Sequence, residues 1–277
     1  MFKPSDIIID EYLARLREAF VAAHPGVEQR HLHVLDRAGR MALHHVARTN
    51  ALYTNLESAL LISEVSLRIV EGRQIERFDV SPVDWLHFML GSLSVFVGFA
   101  RGVVPGDDGR KLVVSPDGRT VELDRSQTDG CLLREYVERS QMFIRRRYAD
   151  TPPIDPERLA GMIELARMPT PRTPPEDQES WPALLRAAQI IALGADPRFV
   201  QRSKKLYRQL EEVGLAAKMG YANPADVIDS YPQRFWKHLL PQITVALSYL
   251  KYTGGGQTWL ARLNSRMLEE EHKGASV

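Results

Sequence analysis

Cysteine is nearly absent: Cys131 is the one thiol in 277 residues. A single thiol excludes an intramolecular disulfide framework and any cysteine-rich zinc or iron–sulfur centre within one chain. The expected compartment is therefore a reducing, cytoplasmic one. Excess charge of either sign is also missing, since 36 Lys and Arg against 35 Asp and Glu leave +1. That balance supplies no strong field for nucleic acid or anionic lipid, and no specific nucleic-acid partner is expected, local patches apart. Long apolar runs are scarce. Ile7-Ile8-Ile9 falls short of a signal-peptide core. The stretch Trp85 to Ala100 lies between Asp84 and Arg101 and contains His87, two serines and two glycines. A span needs about 20 apolar residues, so this segment reads as the central buried helix of a core rather than a transmembrane span. No internal repeat is visible.

What the chain does contain is a succession of helix signals. Leu13, Leu16 and Phe20 follow Ile9 at steps of four, three and four residues, a single buried face. Ser81-Pro82, Asp155-Pro156, Asp196-Pro197 and Asn223-Pro224 each place a capping side chain before a proline, at the one helical position where a missing amide costs nothing. Helices are expected near 6–23, 28–48, 55–71, 82–97, 131–147, 156–167, 181–194, 197–213, 224–230, 233–250 and 257–270. Lys111 to Val114 and Thr120 to Leu123 flank Ser115-Pro116-Asp117-Gly118-Arg119, which predicts a small β-hairpin over 111–123 lying against the helices. The fold class is thus mainly α with an inserted hairpin. One domain over 1–277 is the simplest organisation, with 168–178, rich in proline, as a surface connection and 197–270 as a minor helical subregion.

The search for chemistry is mostly negative. Of the eight histidines, His33 and His44 share a helical face but lie ~16 Å apart along its axis, too far for one metal ion. His31 with His33, and His44 with His45, point around the helix, and no His-Glu-x-x-His occurs. His87 and His238 read as hydrogen-bonded core histidines, His24 and His272 as exposed ends. The glycines between Gly98 and Gly109 form neither a phosphate loop nor a dinucleotide fingerprint, and Gly254-Gly255-Gly256 reads as a flexible joint. Arg134 close to Cys131 is the one feature that favours a thiolate, with no base in view. Arg101 is expected either to close its loop on Asp107 or Asp108, or to contact an anion. Arg145-Arg146-Arg147 suits a helix C-terminus, and a nucleic-acid surface would require Arg134, Arg139 and this run on one exposed face.

Several segments in order, however, resemble the HD-domain metal-dependent phosphohydrolases: Tyr53-Thr-Asn-Leu-Glu57-Ser58, Trp85-Leu-His-Phe, Val97-Gly-Phe-Ala-Arg-Gly102, Pro105-Gly106-Asp107, the hairpin, Leu184-Leu-Arg-Ala-Ala188, Ala195-Asp-Pro197, Tyr221 to Trp236 and Tyr249 to Leu263. Catalytic members hold a divalent ion with a His, a His-Asp doublet and a distant Asp. The resemblance puts those ligands at Thr54 and Ser58, at Val95 and Phe96, and at Gln189, none of which is a His or an Asp. It therefore implies an HD-like helical bundle that has lost its metal site: a pseudoenzyme with no cofactor, acting as a binding, scaffold or regulatory module through another protein or as a homodimer. Arg101, His87, Glu57 and Asp107 are the expected pocket or anion contacts. The competing expectation is a phosphohydrolase with relocated ligands, drawn from His44, His45 or His87 with Glu57 or Asp84. For a partner surface, the stripe Trp259, Leu260, Leu263 and Met267 is the candidate.

Overall fold

The computed structural model describes residues 3–274, with side chains as far as Leu268. The most apolar segment organises the rest. Helix α4 (Pro82–Ser94) is buried at every position from Trp85 to Ser94. It is enclosed by α2 (Gln29–Val46), α3 (Leu56–Arg77), α6 (Pro156–Met162) and α7 (Trp181–Gly194). The window Pro82–Phe99 has the length and composition of a membrane span, yet 83% of it is buried against these neighbours. Helix α1 (Pro4–Ala23) closes one side by packing on α2, and its Phe20 ring stacks on Trp85 at 4.2 Å. On the other side α3 meets α7, α12 (Thr244–Leu250) and α13 (Gly254–Gly274). Gly72 permits the α12 contact, because a Cβ there would fall inside the Tyr249 carbonyl. Around this centre run α5 (Tyr136–Arg147), α8 (Phe199–Glu212) and the short α9 (Leu215–Lys218), α10 (Pro224–Asp229) and α11 (Tyr231–Arg234). The chain is a mainly α bundle. One antiparallel hairpin interrupts it, β1 (Lys111–Val113) with β2 (Thr120–Glu122), with Leu112 opposite Val121.

Expected caps are present at three of the four proline sites. Ser81 and Asp84 form a reciprocal capping box at 3.1 Å in each direction. Asp155 accepts from the amides of Glu157 and Arg158, and Asn223 from that of Ala225. At the fourth, Asp196 accepts from Arg198 N at 2.7 Å, but α8 starts only at Phe199.

Three expected helices are interrupted at identifiable features, while the 156–167 helix stops at Met162 and the 55–71 helix runs on to Arg77. The 82–97 helix stops at Ser94 and gives way to a 3-10 turn at 97–99. There Ser140 Oγ donates to Val95 O and accepts from Gly98 N, while Arg139 Nε donates to Gly98 O at 2.7 Å. The 131–147 helix divides into a 3-10 segment, Asp129–Arg134, and α5. Thr128 caps the first piece, and Gly130 fits tightly against Gln209. Pro241 breaks the 233–250 helix, since its ring nitrogen donates no hydrogen bond; π-type and 3-10 turns fill 235–242 before α12. The triple glycine is the first turn of α13 rather than a joint, with Gly256 packed on the Leu250 carbonyl. Trp259, Leu263 and Met267 are buried and Leu260 is half-buried, so most of the stripe expected to meet a partner is spent on the core. The 168–178 segment is a surface connection without helix or strand.

One ion pair ties hairpin, loop and helices together. Arg139 sits on the apolar stripe of α5 and is fully buried. Its guanidinium binds Asp107 through two bonds of 3.0 Å and donates to the carbonyls of Gly98, Ala100 and Val113. Asp107 in turn accepts from the amides of Gly102, Val104 and Val113. Asp107 thus closes its loop on Arg139, and Arg101 turns elsewhere. Burial by itself would raise the Asp107 carboxyl, but the bonds and charge of Arg139, with the two backbone amides of Val113 and Val104, hold it below the ordinary carboxylate range. A depressed folded-state value means this stabilisation is complete at neutral pH and is lost as pH falls through that value. Asp107→Asn leaves Arg139 buried without a counter-charge and should cost about 3–5 kcal/mol in denaturant unfolding at pH 7. The gap between wild type and variant should narrow only below about pH 4. A gap that stays constant down to the acid limit would contradict the assignment.

Candidate functional site

The residues singled out around Thr54 and Ser58 assemble where the start of α3 meets α8. Asn55 caps α3, its Oδ1 accepting from Ser58 N at 3.2 Å. Gln209, facing inward from α8, accepts from the amides of Tyr53 (3.0 Å) and Thr54 (3.2 Å), and donates to Thr54 Oγ1 (2.9 Å). Ser58 Oγ donates to Tyr53 O and accepts from Arg202. Both Thr54 and Ser58 are buried, and their polar capacity is used within the protein.

Arg202 is the charge at the centre of this cluster. Its side chain is 3% exposed and lies over the Tyr53 ring at 4.8 Å. It donates to Glu57 Oε2 at 3.1 Å as well as to Ser58, and its Nε stands 3.4 Å from Asp196 Oδ2, at ion-pair distance without a hydrogen bond. Glu57 also receives Arg198, with Lys205 at 4.0 Å. One guanidinium is thus balanced by a buried Asp196 and a partly exposed Glu57.

Behind Tyr53 lies a cavity of about 40 Å³ bordered by Phe96, Gln189, Leu206, Tyr231 and Arg234. Phe96 and Gln189 therefore share one wall space with the residue next to Thr54. Phe96 packs edge-on to Phe99 and tilted to Tyr136, each at 5.9 Å, while Val95 is buried with its carbonyl bonded to Ser140. Gln189 donates to Ala166 O at 3.3 Å, which also accepts from Tyr136. The volume suits on the order of one or two water molecules, and the Tyr231 hydroxyl there has no protein partner.

The remaining candidates lie elsewhere. Arg101 pairs with Asp129 at 2.6 Å, and Asp129 also accepts from Asn50 N and Thr49 Oγ1. His87 is fully buried and neutral in its bonding: Nδ1 meets Val83 O at 2.7 Å and Nε2 accepts from Asp155 N at 2.9 Å. Burial first, and then Arg158, lowers its value. His44 faces Asp6 at 3.7 Å, His45 abuts Phe143, and Asp84 holds its helix cap and Arg158. The side chain of His272 lies outside the described residues. Among the described residues no group of three His, Cys, Asp or Glu side chains is placed to hold a metal ion. Burial, then the Glu212 and Asp129 carboxylates, pushes the Cys131 thiol up to about 12, so Arg134 does not activate it. Arg139 is interior, which removes it from any exposed arginine face.

Residues 2–273 match the family described as Npun_R2479-like. The chain belongs to that family. The match runs through every element described above, so the Arg202 cluster and the Arg139–Asp107 pair both fall within the family's span. No curated protein and no solved structure matches the chain.

Arg202, Gln209 and Asp129 escaped the sequence reading. Arg202 and Gln209 each stand three residues after an apolar member of the α8 stripe, Phe199 and Leu206, so a polar side chain on a buried face was the available signal. Asp129 had none, because its partners are distant in sequence. Arg202→Met leaves Asp196 buried and unpaired and should cost about 3–5 kcal/mol in chemical denaturation. Adding Asp196→Asn should recover part of that loss, with a coupling of about 1–3 kcal/mol. Strict additivity of the two changes would show that the pair does not interact.

Proposed function

We propose that this chain is a catalytically silent HD-type bundle that works as a binding, scaffold or regulatory module through a protein partner. The observation that carries the reading is Arg202. At the positions where the resemblance expects metal ligands stand Thr54, Ser58, Val95, Phe96 and Gln189. Two hydroxyls, two apolar side chains and an amide supply no negative charge and no imidazole, so this donor set does not fit a divalent ion. A protein cation already bonds Ser58. A divalent ion within about 4 Å of that guanidinium would be repelled by roughly 8 kcal/mol at an effective dielectric of about 20. Carboxylates Glu57 and Asp196 are nearby, but both are engaged by arginine.

An apolar groove on the α1–α3 face supports the partner half of the reading. It has a volume of about 670 Å³ and is lined by Ile8, Tyr12, Leu56, Leu60 and Leu61 together with the charged Arg15, Glu57 and Glu64. Ile7 and Ile8 remain about half exposed beside it. A concave, largely apolar surface of this kind offers a place for an apolar side chain of another protein to dock.

The decisive assay measures metal content and phosphoester hydrolysis on the same preparation. The expected result is divalent metal well below stoichiometric and no turnover that chelation abolishes. Stoichiometric metal with chelator-sensitive hydrolysis would instead establish a rebuilt active centre. Val95→His with Phe96→Asp should lower the melting temperature and add no activity, because a buried carboxylate is introduced while Ser58 and Gln189 stay unchanged. Hydrolysis gained by that double variant would refute the reading.

A further inference from the structure

On the outer side of Pro169, Thr170 and Arg234, which also border the small cavity, the chain forms a second and larger hollow of about 550 Å³. Its floor and walls carry Arg172, Lys218, Arg234, Lys237 and His238, and no aspartate or glutamate. This composition is unusual for the molecule. Many arginines elsewhere sit beside a carboxylate, as at Arg68, Arg73, Arg139, Arg145, Arg158 and Arg202. Among the described residues, no carboxylate lies within ion-pair distance of Arg172, Lys218, Arg234 or Lys237. Asp229, adjacent in sequence to Ser230, is not part of the lining.

The wall itself is held by a further unneutralised cation. Arg186 is 4% exposed, has no carboxylate partner among the described residues, and donates through one nitrogen to the carbonyls of Pro171 and Thr173. Its Nε has no partner at all. Gln242 braces the same Pro171 carbonyl at 2.9 Å. The proline-rich segment is thereby fixed as one side of the hollow, with a buried positive charge behind it. Burial, together with the charges of Arg172, Lys237 and Arg234, also pushes the His238 imidazole below its ordinary value. In a chain of net charge +1, this concentration of like charge is a local cost unless an anion relieves it.

We infer that the hollow formed by Arg172, Lys218, Arg234, Lys237 and His238 is a binding site for a small molecule carrying two or more phosphoryl groups. Guanidinium groups match phosphate oxygens in pairs, and the lysines add point charge around them. The volume is that of an ordinary small-ligand site. Its concave shape, closed on one side by the 169–172 segment, suits a compact polyanion rather than an extended nucleic-acid backbone. Ser230, Gln233 and the Tyr221 hydroxyl, which lies 3.4 Å from Arg234, offer neutral hydrogen bonds for the rest of the ligand. This site uses none of the residues that carry the silent-chamber reading, so each stands or falls separately.

Calorimetric titration of the full chain with inorganic tripolyphosphate at low salt tests the inference, with a single-stranded oligonucleotide as the second titrant. Saturable one-to-one binding of tripolyphosphate is expected, weakening as salt rises. The pair Lys218→Gln and Lys237→Gln, both exposed, should weaken binding by about tenfold or more with an unchanged circular-dichroism spectrum. Arg234→Gln should do the same, whereas Arg145→Gln, on another face, should leave binding unchanged. The His238 titration midpoint, followed by NMR, should rise when tripolyphosphate is present. Absence of binding, affinity untouched by the lysine changes, or oligonucleotide binding tighter than tripolyphosphate would each overturn the assignment.

Discussion

A guanidinium buried among helices needs hydrogen-bond acceptors within the protein, and at Arg202 and Arg139, where it also finds negative charge, that requirement shapes the centre of this molecule. Arg202 draws Glu57, Ser58 and Asp196 around itself and rests on the Tyr53 ring. The start of α3, the turn before it and the first half of α8 are thereby held in one arrangement. Removing water from such a group costs several kcal/mol, so the cluster persists only because its partners are in place together. The same logic repeats at Arg139, where Asp107 and three carbonyls use the guanidinium in both charge and geometry. These two arginines, paired with Asp107 and with Glu57 and Asp196, give the largely apolar bundle two of its fixed points.

The two clusters have different consequences. Around Arg139 the outcome is architectural: the end of α4 unwinds, its peptide groups turn toward α5, and the hairpin is fastened against the helices. Around Arg202 the outcome is chemical. Hydroxyls at Thr54 and Ser58 are consumed by Gln209, Arg202 and Tyr53, Phe96 occupies space with an aromatic ring, and Gln189 spends its amide on a carbonyl. On the function proposed above, these side chains serve packing and internal bonding rather than activation of a water. Charge available to a ligand lies instead outside, in the basic hollow between the proline-rich segment and α11.

Periodicity and caps made the helices legible, because apolar faces and Ser-Pro or Asn-Pro starts are local properties. The hairpin was legible for the same reason, as Asp-Gly between β-prone runs is a local signal. What sequence patterns left hidden was non-local pairing. Local sequence offers Arg101 the nearby Asp107 or Asp108, or an anion, yet Asp129 takes it and Asp107 belongs to Arg139. A nucleic-acid face would require Arg139 on the surface, whereas its place on the stripe with Tyr136, Ser140 and Phe143 points inward. The C-terminal stripe from Trp259 to Met267 was recognised as apolar, but its destination in the core depended on α3 and α7.

Thermal unfolding of the unmodified chain, with Mn²⁺ or with chelator, tests the role of Arg202 most directly. A native-state ion site of about 10 μM affinity would add about 2.7 kcal/mol at about 1 mM metal and raise the midpoint by several degrees. On the proposed reading, in which the Arg202 guanidinium stands where an ion would, the curves in Mn²⁺ and in chelator should superimpose. An upward shift in Mn²⁺ that chelation reverses, and that Ser58→Ala abolishes, would mean that the chamber still takes a metal.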